Sequence, residues 1–221
     1  MSTSIAPILH SQWYNFFAHH LYSQFKPGLE NSTEVLSIDP WGGFTHALNV
    51  AVQYASDQGF EVVAFQSLEV TMTKEVVQNL LDYFKNSDTL VVGPALQGHI
   101  FTAGANEIRG RTCPWNSFAL WDVRKLQLTG FPLIGNGNKN LDISGGVEEV
   151  TAVSLLQYIN PQWKAFLVDT SGFVEWDTNF TDPKRAEWHE KKMNSKDSRP
   201  AVQMRMLGIP SGKSIHVHMQ S

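Results

Sequence analysis

Cysteine is nearly absent: Cys113 is the only one in 221 residues. One thiol excludes an internal disulfide and any zinc cluster built on several cysteines, and it suits a reducing compartment. Long apolar runs are missing too. No stretch approaches the roughly 18 uninterrupted apolar residues of a membrane-crossing helix, and the first residues lack the basic and apolar regions of a secretory signal. These absences predict a cytoplasmic protein with no integral membrane segment, in which the sequons at Asn31 and Asn179 are chance. Basic residues are the minority, 17 Lys and Arg against 21 Asp and Glu, so no broad cationic surface is on hand for nucleic acid. Phosphate would have to be met locally. No internal repeat or low-complexity tract is visible, and no glycine- and basic-rich phosphate loop lies near the N-terminus, which disfavours a nucleotidyltransferase.

What is present is core. With 42% hydrophobic and 17% charged residues the chain can bury a sizeable interior, most simply as one α/β domain. Hydrophobic spacing predicts a short strand at Ile5–Leu9, an amphipathic helix from Gln12 to Phe25, and a strand over Glu34–Asp39. The turn Trp41-Gly42-Gly43-Phe44-Thr45 leads into a helix carrying Ala47, Leu48, Val50, Ala51, Tyr54 and Ala55. A strand at Glu61–Gln66, a helix at Lys74–Phe84 capped by Thr73 and a strand at Thr89–Gly93 follow. This alternation implies a mainly parallel sheet. Residues 94–114 read as irregular. Beyond them come a strand over Asn116–Trp121, a short helix over Val123–Leu128, a flexible lid-like stretch over Gly135–Asn140, a helix over Val147–Tyr158 and a strand over Ala165–Val168. Residues 1–181 form the α/β domain. Residues 182–221 read as a helical extension packed on it, its charge mostly a solvated face, with helices at Pro183–Lys192 and Val202–Leu207 and a last strand at Ser214–Met219.

Several residues carry chemistry. The apolar run Val62–Gln66 ends in Ser67-Leu68-Glu69, which places a carboxylate outside the carboxyl end of a strand, where ligands of open α/β sheets collect. Read alone, Glu69 is more simply a solvated strand-end residue. Gly145-Gly146-Val147-Glu148-Glu149-Val150 opens a helix on two adjacent carboxylates, favourable at a helix N-terminus in any case. Trp115 and Asn116 pair an apolar platform with a hydrogen-bonding amide, the combination sugar recognition uses. His216 and His218 alternate on one strand face as a candidate metal pair lacking a placed third ligand.

Taken in order, Gly42-Gly43-Phe44-Thr45-His46-Ala47-Leu48-Asn49, Ser67-Leu68-Glu69, Pro114-Trp115-Asn116-Ser117-Phe118, Leu128-Thr129-Gly130-Phe131 and Gly145-Gly146-Val147-Glu148-Glu149 resemble the motifs of family 2-like GT-A glycosyltransferases, from about residue 33 to residue 170. The resemblance implies a nucleotide-diphospho-sugar transferase fold and an inverting transfer of sugar from a nucleotide diphosphate to a hydroxyl acceptor. Glu149, with Glu148, matches the catalytic base motif. Asp39, Gly43, Asn49, Ser67, Trp115 and Asn116 match positions around donor and acceptor. Glu69, with His216 and His218, is the implied site for a divalent Mn or Mg. Two departures stand out: Ser67 occupies the first carboxylate position of the Asp-x-Asp motif, and only 40 residues precede Trp41. Glu34–Asp39 is then either the second strand with the next unit deleted, or a later strand with an earlier one missing. These departures keep open a non-catalytic GT-A-like binding or scaffolding protein.

Overall fold

The computed structural model describes residues 5–10 as backbone and residues 44–67, 69–141 and 143–219 in full. The expected helix at 12–25, the strand at 34–39 and the glycine turn, with Asp39 and Gly43, lie outside the described residues. The strands are β1 (Ile5–His10), β2 (Val62–Ser67), β3 (Val70–Met72), β4 (Thr89–Pro94), β5 (Gly104–Glu107), β6 (Phe118–Asp122), β7 (Lys164–Asp169), β8 (Val174–Trp176) and β9 (Lys213–His218). The helices are α1 (Phe44–Asp57), α2 (Lys74–Leu81), α3 (Val123–Leu126), α4 (Glu148–Ile159), α5 (Pro183–Asn194) and α6 (Ser198–Leu207).

One seven-stranded sheet has the order β1-β2-β6-β4-β7-β9-β5. Strands β1, β2, β4, β7 and β9 point the same way, and β6 and β5 run against them. The architecture is therefore α/β, a mixed and mainly parallel sheet flanked by helices. β2 and β4 are buried along nearly their whole length, as strands covered on both faces must be. Alternation divides their side chains: Val63 and Phe65 enter one apolar cluster, Val62 and Ala64 the other. α1 joins the first cluster because Ala47, Leu48, Ala51, Val52 and Ala55 recur at helical spacing, and α4 packs beside it. α2 lies in the second cluster through Val76, Val77, Leu80 and Leu81, its start capped by the Thr73 hydroxyl accepting from the Val76 amide. A 3₁₀ turn at Asp82–Lys85 replaces the last expected turn of that helix.

Three features were not foreseen. β5, inside the tract read as irregular, is a mostly exposed Gly-Ala-Asn-Glu edge strand. β3 and β8 pair as a two-stranded ribbon beside the main sheet. The third concerns the extension: α5 forms where expected and α6 begins at Ser198, four residues before the expected start, but β9 enters the main sheet between β7 and β5. The helical pair is thus tied to the sheet at its far end. No helix among the described residues is long and apolar enough to cross a membrane.

Candidate functional site

Strand direction decides which groups can meet. β2, β4, β7 and β9 end at one edge of the sheet, and β6 begins there, so Trp115, Asn116 and Ser117 sit beside the exit of β2. The Ser67 amide donates to the Ser117 carbonyl at 2.7 Å. The N-terminus of α4 reaches the same edge. It is set by an unusual turn: Gly146 has φ 89° and Val147, a β-branched residue, has φ 63°. That left-handed conformation costs on the order of 1–2 kcal/mol for a non-glycine residue. The turn is gripped from α6, where the Arg199 guanidinium donates to the Gly145 carbonyl at 2.7 Å and the Gln203 amide to the Ser144 and Gly146 carbonyls at 3.0 and 3.1 Å. The strain therefore has a purpose consistent with where it places the next two residues.

Those residues are Glu148 and Glu149, only 2% and 5% exposed. Asn116 holds both: its backbone amide donates to Glu149 Oε1 at 2.5 Å, and its Nδ2 donates to Glu148 Oε1 at 2.8 Å. The orientation of the Asn116 amide is fixed in turn, because the Trp121 indole N–H donates to Asn116 Oδ1 at 2.9 Å. Two carboxyls so close in so little water cannot both ionise cheaply. Burial, reinforced by the neighbouring Glu149, pushes the Glu148 carboxyl up to about 8. Glu148 thus keeps its proton at neutral pH. Glu149 Oε2 is buried and has no hydrogen-bond partner among the described residues.

The other anticipated residues divide. Glu69 lies just past the end of β2, where its carboxylate is bound by the Ser67 hydroxyl on one oxygen and by the Arg185 guanidinium of α5 on the other. Trp115 is 1% exposed. The His99 ring stacks on it with centroids 3.5 Å apart, and the Lys196 ammonium lies 3.6 Å from the same centroid. A stacked ring fills its face, so the ammonium covers the other and no free platform is left for a sugar. His99 itself is a core histidine, pinned by the Leu96 amide and the Cys113 carbonyl; burial, with Lys196 nearby, holds its imidazole down to about 3. Asn49 clamps the turn at the end of the α3 segment, accepting from the Phe131 amide at 2.7 Å and donating to the Phe131 carbonyl at 3.0 Å. The Gly135–Asn140 stretch is fastened at its base, where Asn136 Oδ1 accepts from the Thr45 amide and caps α1.

A divalent metal needs several hard ligands converging on one point. His216 is buried, with Nδ1 accepting from the Thr102 amide and Nε2 against the Thr112 carbonyl and Ser214 hydroxyl. His218 shares the Phe101 side of β9 but pairs with Asp169. The described residues do not bring Glu69, His216 and His218 together, and no group of three or more His, Cys, Asp or Glu among them could hold a metal ion.

The sequence reading missed the cationic side of the site. Lys192, Lys196 and Arg199 come from the stretch read as a solvated face, yet all three act electrostatically on Glu148 and Glu149. The available signal was spacing: Trp188, Lys192 and Lys196 recur every four residues, as do Arg199 and Gln203. Fold and site together define an α/β protein with a buried acidic pair at the carboxyl edge of its sheet, faced by lysines. In comparisons with known proteins, no family model and no curated protein matches the chain.

Proposed function

We propose that the chain is an inverting glycosyltransferase of GT-A type, transferring a sugar from a nucleotide-diphosphate donor to a hydroxyl acceptor in the cytoplasm. The observation that carries this reading is Glu149, held by Asn116 through one oxygen, with the other buried and unpartnered at the sheet edge where α/β proteins bind ligands. A carboxylate oxygen fixed in place and lacking a donor is ready to accept a hydroxyl proton. In the reaction the acceptor O–H proton passes to Glu149 Oε2. The acceptor oxygen bonds to the sugar C1, the C1–O bond to the β-phosphate breaks, and its electron pair leaves on the phosphate. In-line attack inverts C1. Glu148, already protonated, leaves Glu149 as the member of the pair that takes the proton. Asn116 acts as a positioning residue for both.

Glu149→Gln keeps the shape and the Asn116 contact but removes the base. It should lower turnover by at least about a hundredfold, in line with the loss of a general base, while donor binding persists. Unchanged turnover in that variant would sink the assignment. The second reading, a non-catalytic GT-A-like binding protein, is favoured by one specific observation: Arg185 and Ser67 already occupy Glu69. It predicts no transfer from any UDP- or GDP-sugar by the unmodified chain.

A further inference from the structure

We propose that Lys196 and Lys192 form a diphosphate seat, so that two ammonium groups meet the leaving-group charge that a divalent metal meets in the GT-A enzymes the sequence resembles. This rests on the glycosyltransferase reading. It begins from a misfit: the side chains implied for the metal are engaged with Arg185, Ser67, backbone groups and Asp169, and among the described residues no three-ligand set exists. Yet a departing nucleoside diphosphate gains negative charge as the C1–O bond breaks, and something cationic must meet it.

The lysines are built for that task. Lys192 Nζ lies 3.8 Å from the Trp188 ring centroid and Lys196 Nζ 3.6 Å from that of Trp115. Neither ammonium has a carboxylate within ion-pair distance among the described residues, although most other cations nearby are paired. Lys196 follows the end of α5 in a turn where its amide bonds to the Met193 carbonyl, and the two ammonium groups lie near enough for Lys192 to act on Lys196. Burial holds both amines below their usual range, Lys196 down to about 8, even though Glu149 and Glu148 pull the other way. An anion would relieve that cost.

The seat is also rigid. The Arg111 guanidinium donates to the Gly98 carbonyl at 2.9 Å and the Met193 carbonyl at 2.7 Å, and its backbone amide donates to Asp197 Oδ1 at 2.9 Å. Arg199 donates to the Lys192 carbonyl at 2.8 Å. Gly110 lies so close under the Lys196 carbonyl that a Cβ there would collide with it. The arginines thus brace the backbone of the 192–197 turn, which leaves the lysines as the groups free to take a ligand. Their placement fits the chemistry: Lys196 acts on Glu149 and Glu148 and also on His189, which in turn feels Glu69. The acceptor proton goes to Glu149, the C1–O electron pair goes to the β-phosphate oxygen, and the lysines neutralise it.

Calorimetric titration of the full chain with UDP, GDP and inorganic pyrophosphate, in EDTA and separately in Mn²⁺, tests this. We expect a nucleoside diphosphate to bind in EDTA. Lys196→Gln should weaken it roughly ten- to hundredfold, the scale of losing one charge-assisted contact, while Lys196→Arg retains most of it and Lys192→Gln loses less. Should Lys196→Gln melt too low to study, Lys192→Gln and the salt dependence of the unmodified chain decide the matter, since ammonium–phosphate binding must weaken with salt. Binding seen only with Mn²⁺ and indifferent to both lysines overturns the seat and leaves the glycosyltransferase reading standing. Failure of UDP and GDP to bind under either condition overturns both.

Discussion

Replacing Glu148 by Gln tests the electrostatics of the acidic pair without any assay of activity. The Glu148 carboxyl is raised from 4.5 to about 8, first by burial and then by Glu149. Between those values the folded chain holds a proton that the unfolded chain has released. Stability therefore falls as pH rises through that window, and the contribution is complete only below 4.5. A shift of that size corresponds to on the order of 4–5 kcal/mol as a ceiling. Coupling within the buried pair and relaxation of the site bring the expected figure to about 2 kcal/mol or more. His99 works in the opposite sense: burial, then Lys196, lowers it from 6.5 to about 3, so its contribution grows as pH rises to 6.5. A melting profile of the unmodified chain mixes the two. The difference between it and Glu148→Gln does not, because Gln keeps an acceptor for Asn116 and leaves His99 in place. Melting both proteins from pH 5 to pH 8, below the range where Lys196 takes up a proton on unfolding, should show the unmodified chain losing at least about 4 °C relative to the variant, at roughly 2–4 °C per kcal/mol for a chain of this size. Parallel profiles would refute the claim that Glu148 holds its proton at neutral pH.

The remaining predictions concern the supports of the site. Asn116→Ala keeps the backbone amide that serves Glu149 but leaves the Trp121 indole N–H and Glu148 Oε1 without their partner; chemical denaturation should report a loss of about 2–4 kcal/mol, from two orphaned buried groups at about 1–3 kcal/mol each partly rescued by water. Gly110→Ala drives a Cβ into the Lys196 carbonyl and the backbone beside it. It should cost about 1–3 kcal/mol as an overpacked site does, and a denaturant midpoint within error of the unmodified chain would show that the 192–197 turn is not braced there.

Sequence periodicity carried the centre of the fold well. β2, β4 and α1 are continuous apolar or amphipathic segments whose burial depends on side chains close in sequence, so alternation and 3.6-residue spacing find them. β5, β3 and β8 escaped because they are three or four residues long and owe their pairing to partners far away in the chain. The acidic pair was legible as Gly-Gly followed by Glu-Glu. Its partners were not: nothing local to Asn116 announces that its amide reaches α4, since the contact arises from β6 running against its neighbours. Trp115, by residue type, and Asn49, by resemblance of its motif, were read as ligand-facing groups, whereas tertiary packing places them in a ring stack and a backbone clamp. The lysines of 192–196 looked like a solvated helix face because a sequence shows charge but not what lies opposite it.

The position of β9 has a consequence for how the molecule assembles. Among the described residues β5 pairs with no strand of the main sheet except β9, and Gly104 aligns with His216, about 110 residues further along the chain. β5 therefore has nothing in the sheet to bond until β9 reaches it. Such distant pairing is slow to find, because a large loop must close before any contact rewards it. As β9 docks, it also draws in α6, whose Arg199 and Gln203 hold the turn before Glu148. Completion of that edge and organisation of the acidic pair are thus linked through one segment of the chain, so that a chain with an unfinished sheet edge also has a disorganised acidic pair.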